Sequence, residues 1–212
     1  MTVLCRYLTN YTTAHWKAAI RILVYLKGTT DIKLVYKRQP EAKPIELFTD
    51  SDYAGDIETR RSTSGGIILA YGNLVTWFCE KQAVVTKSTT EAEYIALYTG
   101  ISEACYFINV IQRGMGIQIT PIPTHVDNQG TIFIAQQEVC NKRTKHIDVR
   151  YHFCREQVKE FQNFELFYVP TCSNLSDIMT KALNAPSHEK LRDEMMKHHT
   201  GKTKGLTDKS DD

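Results

Sequence analysis

A chain of 212 residues is long enough for one domain of ordinary size plus additions. With 42% hydrophobic and 24% charged residues it has the composition of a soluble globular protein, which sets aside a wholly disordered chain or a membrane bundle. A net charge of +2 neither demands nor excludes a nucleic-acid partner, because phosphate binding depends on where Lys and Arg cluster.

Thr13 to Lys27 reads as an amphipathic helix, with Thr12 or Thr13 as cap, Trp16, Ile20, Leu23 and Leu26 at helical spacing, and Gly28 as the stop. A short strand is predicted over Ile32 to Tyr36, and the polar break from Lys37 to Pro44 marks a domain boundary. From Ile45 the pattern turns to strands: Ile45 to Thr49, a hairpin of Gly66 to Ala70 and Leu74 to Phe78 around Gly72-Asn73, and a short strand over Ala83 to Thr86. Glu91 to Ile111 then places Tyr94, Leu97, Ile101, Ala104 and Ile108 on one helical stripe, ended by Arg113-Gly114. A strand over Pro123 to Val126, a helix from Gln129 to Glu138, a longer helix from Thr144 to Gln162, a strand over Glu165 to Val169 and a helix from Leu175 to Leu183 follow. Strands first, then strand and helix in alternation, argue for a mixed sheet covered by helices. Ser187 to His198 is compatible with a helix, but residues 185–212 as a whole read as a charged, disordered tail.

The cysteines at 5, 79, 105, 140, 154 and 172 form no C-x-x-C pair, so neither a zinc ribbon nor a redox motif is visible and a reducing compartment fits best. The apolar run Ala18 to Leu26 is interrupted by Arg21 and too short to span a bilayer, and no signal peptide opens the chain. The expectation is an intracellular protein, cytoplasmic or nuclear, neither secreted nor membrane-bound.

Four acidic positions recur in one context. Asp50 ends the first strand of the main domain, within FTDSDYAGD; Glu93 lies in the first turn of the long helix; Asp127 ends the strand Thr124-His125-Val126; Asp177 sits in the first turn of the last helix. In α/β sheets ligands gather at strand carboxyl ends and helix amino ends, so these four can meet at one edge. Carboxylates that close repel unless hard divalent cations neutralise them, and an oxygen-only donor set favours magnesium or manganese over zinc. Each residue alone also suits a cap or a solvated turn. Asp52 competes with Asp50, because side chains alternate with period two and both share a strand face. His146 and His152 lie six apart on a helix, a poor spacing for a shared metal.

The runs FTDSDYAGD, TRRSTSGG (59–66), STTEAEYIAL (88–97), VDNQGTI (126–132), KRTKHIDVRYHFCRE (142–156) and NLSDIMTKAL (174–183), in that order, closely resemble the ribonuclease H domain of copia-type retrotransposon Pol polyproteins. HWKAAIRILVYLKGTTDIKLVYK resembles the end of the reverse transcriptase that precedes that domain. The resemblance implies an α/β, ribonuclease H-like fold, a five-stranded mixed sheet flanked by helices. It divides the chain into a reverse transcriptase remnant (1–38), a ribonuclease H-like domain (45–184) and the charged tail (185–212). It further implies an endonuclease that cuts the RNA strand of RNA–DNA hybrids with two magnesium ions, manganese being a substitute, and no polymerase activity. Asp50, Glu93, Asp127 and Asp177 would be both catalytic residues and metal ligands: Asp50 bridging the ions, Asp177 on the nucleophile side, Glu93 and Asp127 on the other. The match favours Asp50 over Asp52, and Asp56 reads as a loop residue.

Hybrid recognition should rest on shape and the 2′-hydroxyl, with Ser88, Thr89, Thr90, Asn128 and Gln129 as sugar contacts and Arg60, Arg61, Lys87, Lys142, Arg143 and Lys145 as phosphate contacts. Each basic residue also suits a solvated face. Many cellular ribonucleases H carry a His in the loop before the last carboxylate, whereas Val169 to Asn174 has none. A polymerase domain of the parent polyprotein is the expected protein partner. The rival readings are a catalytically silent nucleic-acid-binding remnant and an interaction module of a truncated retroelement, built on the exposed apolar face of the first helix.

Overall fold

The computed structural model of the chain describes residues 2–137 and 145–196. They divide into two units, Met1–Leu34 and Val35–Asp212. In the first, α1 (Thr2–Cys5) precedes α2 (Thr13–Gly28). Thr12 caps α2, its backbone N–H donating to Nδ1 of His15 at 3.0 Å, and the His15 ring stacks on Tyr7. Trp16, Leu23, Val24 and Leu26 of α2 are exposed.

The second unit is built on a strand buried on both faces. In β1 (Ile45–Asp52), Ile45, Leu47 and Thr49 point to one side and Phe48 to the other. β2 (Thr63–Ala70) pairs antiparallel with β1, and β3 (Asn73–Lys81) antiparallel with β2. β4 (Ile122–Val126) lies parallel to β1, and β5 (Phe164–Tyr168) parallel to β4, giving the order β3-β2-β1-β4-β5. This is the expected five-stranded mixed sheet flanked by helices.

One face is covered by α3 (Thr89–Phe107), whose Tyr94, Leu97, Ile101 and Ala104 pack with Ile45, Leu47 and Ile68. Thr89–Gly114 is 26 residues long and apolar enough in composition to cross a membrane, yet its apolar stripe supplies this core. α3 comes very close to β1 because residue 100 is Gly: a Cβ there would lie 2.5 Å from Thr49 Cγ2. α4 (Gln129–Gln136) and α5 (Lys145–Arg155) complete this layer. The helices predicted to Ile111 and Gln162 continue as wider π-helical segments, Ile108–Gly114 and Glu156–Glu160.

On the other face Ile67, Leu69 and Leu74 pack with Leu175, Leu191 and Met195. Leu191 and Met195 belong to α7 (Ala185–Met196), so residues 185–196 are not the disordered tail expected from their charge; an i, i+4 apolar pair buries this helix. Residues 197–212 lie outside the described residues. The unit boundary also falls earlier than the polar break. The Val35 N–H donates to Met196 O at 3.1 Å, and Lys37 exchanges hydrogen bonds with the Asn73 side chain, so both belong to the second unit.

Four local expectations are corrected. Ile32 to Tyr36 and Ala83 to Thr86 form no strand; the second runs as a loop in which Thr86 is buried against the Ser62 hydroxyl. The hairpin turn is Tyr71-Gly72, at φ of 46° and 69°, one residue earlier than read, because Asn73 pairs with Ala70 and clamps the turn through its side-chain amide. Leu175 to Leu183 is no continuous helix: only the single turn α6 (Asp177–Thr180) is helical there, and a 3-10 turn (Thr171–Ser173) precedes it.

Candidate metal centre at the sheet edge

The pairing of β1 with β4 brings the first two carboxylates together. Thr49 stands opposite Val126 in a parallel register, so the next residues, Asp50 and Asp127, emerge side by side at the same sheet edge. Asp50 also faces Gly65 of β2, the glycine on which α6 rests; a Cβ at 65 would meet Thr180 Cγ2 at 2.6 Å and Met179 Cβ at 2.8 Å. That contact delivers Asp177, the first residue of α6. Carboxylate oxygens of Asp50, Asp127 and Asp177 lie within 4.8 Å of one another.

Asn174 sets the position of α6. Wholly buried, it donates from Nδ2 to Thr49 O at 2.9 Å and accepts at Oδ1 from the Ser176 N–H at 3.2 Å and hydroxyl at 2.7 Å. Replacing it by Ala removes the side-chain bond to the Thr49 carbonyl and the acceptor of both Ser176 donors. Asn174→Ala is expected to destabilise the chain by about 1–3 kcal/mol, read as a lower urea midpoint at unchanged slope.

Glu93 does not join the triad. It approaches from α3 on the opposite face, where Ser51 also points, and its Oε1 accepts from the Ser51 N–H at 3.0 Å and hydroxyl at 2.9 Å. Its Oε2 is buried and has no hydrogen-bond partner among the described residues. Burial, then the charges of Asp50 and Asp127, push the Glu93 carboxyl up to about 8. Burial likewise raises Asp177 to about 6, against the pull of Lys181, and moves Asp127 upward against the hydrogen bond from Thr171.

Lys181 was not anticipated as a member of the site. Its ammonium lies 2.9 Å from Asp50 Oδ1 and 2.5 Å from Asp177 Oδ1, while the Thr180 hydroxyl donates to Asp50 Oδ2. Its signal in the sequence was the Asp177/Lys181 spacing of four in NLSDIMTKAL. Thr171, in the loop without His, donates from its hydroxyl to Asp127 Oδ2 at 2.8 Å. Asp52 stays outside the triad, its carboxyl raised by burial and the Asp50 charge. Asp56 is a loop residue that accepts from the Glu58 and Thr59 N–H groups and pairs with Lys81.

The predicted nucleic-acid contacts fall into two sets. Thr90 and Asn128 meet, hydroxyl to carbonyl at 3.5 Å, and the Thr131 hydroxyl donates to Thr90 O, so the amino ends of α3 and α4 adjoin; Gln129 is exposed beside them. Ser88 is the N-cap of α3, accepting from the Glu91 N–H, and Thr89 is exposed in its first turn. Arg60, Arg61 and Lys87 are exposed in loops. Lys142 and Arg143 lie outside the described residues, as do the side chains of Lys145 and His146. His152 is exposed on α5.

No family model matches the chain. Over 181 residues, 85% of its length, it is 34% identical to the retrovirus-related Pol polyprotein from transposon TNT 1-94 of Nicotiana tabacum. Over 182 residues, again 85%, it is 33% identical to the Pol polyprotein from transposon RE2 of Arabidopsis thaliana. It spans 13% and 12% of the length of these relatives. Among solved structures, LC11-RNase H1 in complex with an RNA/DNA hybrid aligns at a TM-score of 0.47 and 16% identity, over 64% of this chain and 93% of that one. The fold is α/β, a five-stranded mixed sheet flanked by helices, with an acidic triad where β1 and β4 lie side by side. Over most of its length, then, the chain is homologous to a stretch of the Pol polyproteins of copia-type retrotransposons.

Proposed function

We propose that this chain is the ribonuclease H portion of a copia-type Pol polyprotein and hydrolyses the RNA strand of RNA–DNA hybrids. The observation that carries this reading is the convergence of Asp50, Asp127 and Asp177 within 4.8 Å at the edge of the sheet. The donor set fits a hard divalent cation: every ligand atom is a carboxylate oxygen, and Glu93 Oε2, buried without a hydrogen-bond partner among the described residues, adds a fourth carboxylate beside the triad. Asp50, Asp127, Asp177 and Glu93 would hold two magnesium ions, with manganese as a substitute. Bound there, the ions supply an activated water and neutralise the charge that develops on the leaving 3′ oxygen.

The remaining chemistry belongs to the side chains of the chain. Ser51 fixes one Glu93 oxygen and leaves the other to coordinate; Thr171 orients Asp127, and Asn174 sets the position of Asp177. Thr90, Asn128 and Gln129, at the adjoining amino ends of α3 and α4, meet the hybrid's sugars together with Ser88 and Thr89. Arg60, Arg61 and Lys87 meet phosphates, as do Lys142, Arg143 and Lys145. The exposed Trp16, Leu23 and Leu26 suit docking with the polymerase domain of the parent polyprotein, and the activity is assigned to an intracellular compartment.

The test is incubation with a labelled RNA–DNA hybrid at low salt with magnesium or manganese, beside double-stranded RNA, double-stranded DNA and a chelator control. Metal-dependent cutting of only the RNA strand of the hybrid is expected. A hybrid that is bound yet stays intact under every metal condition replaces the hydrolase with a nucleic-acid-binding module.

A further inference from the structure

The acidic triad is already engaged by a cation of the chain itself. Lys181 Nζ donates to Asp50 Oδ1 and Asp177 Oδ1, the Asp50 side chain is fully buried, and that of Asp177 is 7% exposed. Two carboxylates at that separation repel, and one ammonium placed between them neutralises the repulsion. The second oxygen of Asp50 is held by Thr180, the residue before Lys181, so the same stretch of chain grips both oxygens of the central carboxylate. The Lys181 side chain is 31% exposed and follows the single turn of α6, which leaves it a path to solvent.

A divalent cation ligated by those two Oδ1 atoms would have to stand where the ammonium stands. We propose that Lys181 is a positioning residue that competes with divalent metal: its ammonium holds Asp50 and Asp177 together, and it withdraws from both when they ligate a cation. This inference rests on reading the triad as a metal centre. It makes metal affinity a property tuned by Lys181, and it lets α6 dock on β2 without metal. A purely structural ion pair has the opposite signature, because its loss would disorder the ligands and weaken metal binding.

The experiment titrates manganese into the wild-type chain, Lys181→Met, Lys181→Arg and Asp50→Asn by calorimetry, at one pH and without nucleic acid. Lys181→Met is expected to bind manganese about tenfold tighter or more, Lys181→Arg to stay near wild type, and Asp50→Asn to bind far more weakly. In chelator Lys181→Met should melt below wild type, since removing one partner of a buried pair leaves the other charge uncompensated, and manganese should restore it. Unchanged or weaker affinity in Lys181→Met overturns the proposal while leaving the metal centre intact. If neither wild type nor Lys181→Met binds manganese at millimolar concentration, the metal-centre reading itself fails and the inference falls with it. Should Lys181→Met fail to fold, the wild-type chain decides: the side-chain ammonium resonance of Lys181 should shift in step with magnesium binding, and an ammonium undisturbed by bound magnesium refutes the competition.

Discussion

Asp50→Asn is expected to lower metal-dependent cleavage of the hybrid on the order of 10³-fold or more, a loss of about 4 kcal/mol of transition-state stabilisation. The size follows from its place. Asp50 lies on the central strand beside Asp127, opposite Gly65 and in contact with Lys181 and Thr180, so every other part of the site is arranged around it. Asn keeps the shape but removes one negative charge and turns one acceptor oxygen into a donor. The variant should therefore stay folded and still bind hybrid while losing turnover, which separates it from a folding defect. Asp52→Asn is the informative comparison, since residue 52 shares the strand face yet stands outside the triad. A chain inactivated by Asp52→Asn but not by Asp50→Asn would refute the assignment.

The second large effect is on stability and its dependence on pH. Glu93 is buried, and its carboxyl is pushed from 4.5 up to about 8. Between those values the folded chain keeps a proton that the unfolded chain has released, so the contribution is fully present below about 4.5 and is lost as pH rises to about 8. Asp177 adds the same sign over the lower window, from 3.8 to about 6. In chelator the unfolding free energy should accordingly fall as pH rises through this range, by up to about 1.4 kcal/mol per pH unit where one proton separates the two states. Glu93→Gln, which carries no charge, should flatten the upper half of the profile, and saturating magnesium should do so in the native chain by stabilising the carboxylate form. Stability that stays level from pH 5 to 8 in chelator, with the same profile in Glu93→Gln, would contradict a protonated Glu93. The measurement is urea denaturation at a series of pH values, with slope and midpoint fitted together.

Much of the fold was legible because it rests on local periodicity. The alternation through Ile45, Leu47 and Thr49 marked β1, and the stripe Tyr94, Leu97, Ile101, Ala104 and Ile108 marked the helix that covers it. The strand and helix signals placed Asp127 just beyond a strand end and Asp177 in the first turn of a helix, where the structure has them, whereas Asp50 lies within β1, which runs on to Asp52 instead of stopping at Thr49. Local composition misled where burial depends on distant partners. The segment around Leu191 and Met195 is charged enough to pass for a tail, and only the apolar patch of Ile67, Leu69 and Leu74 on another part of the chain makes it a packed helix.

The chemistry of the site divides in the same way. Sequence alone determined the donor types and their attachment to element ends, because carboxylate identity and strand period are properties of short stretches. Whether Asp50 or Asp52 enters the triad was left open by a period of two and decided by the parallel register that sets Thr49 against Val126. That Glu93 turns one oxygen to Ser51, and that Lys181 sits between Asp50 and Asp177, depended on α3 closing on β1 at Gly100 and α6 closing on β2 at Gly65, from opposite faces of the sheet. Close approaches between residues tens of positions apart are set by the packing of whole elements, and no periodicity within either partner records them.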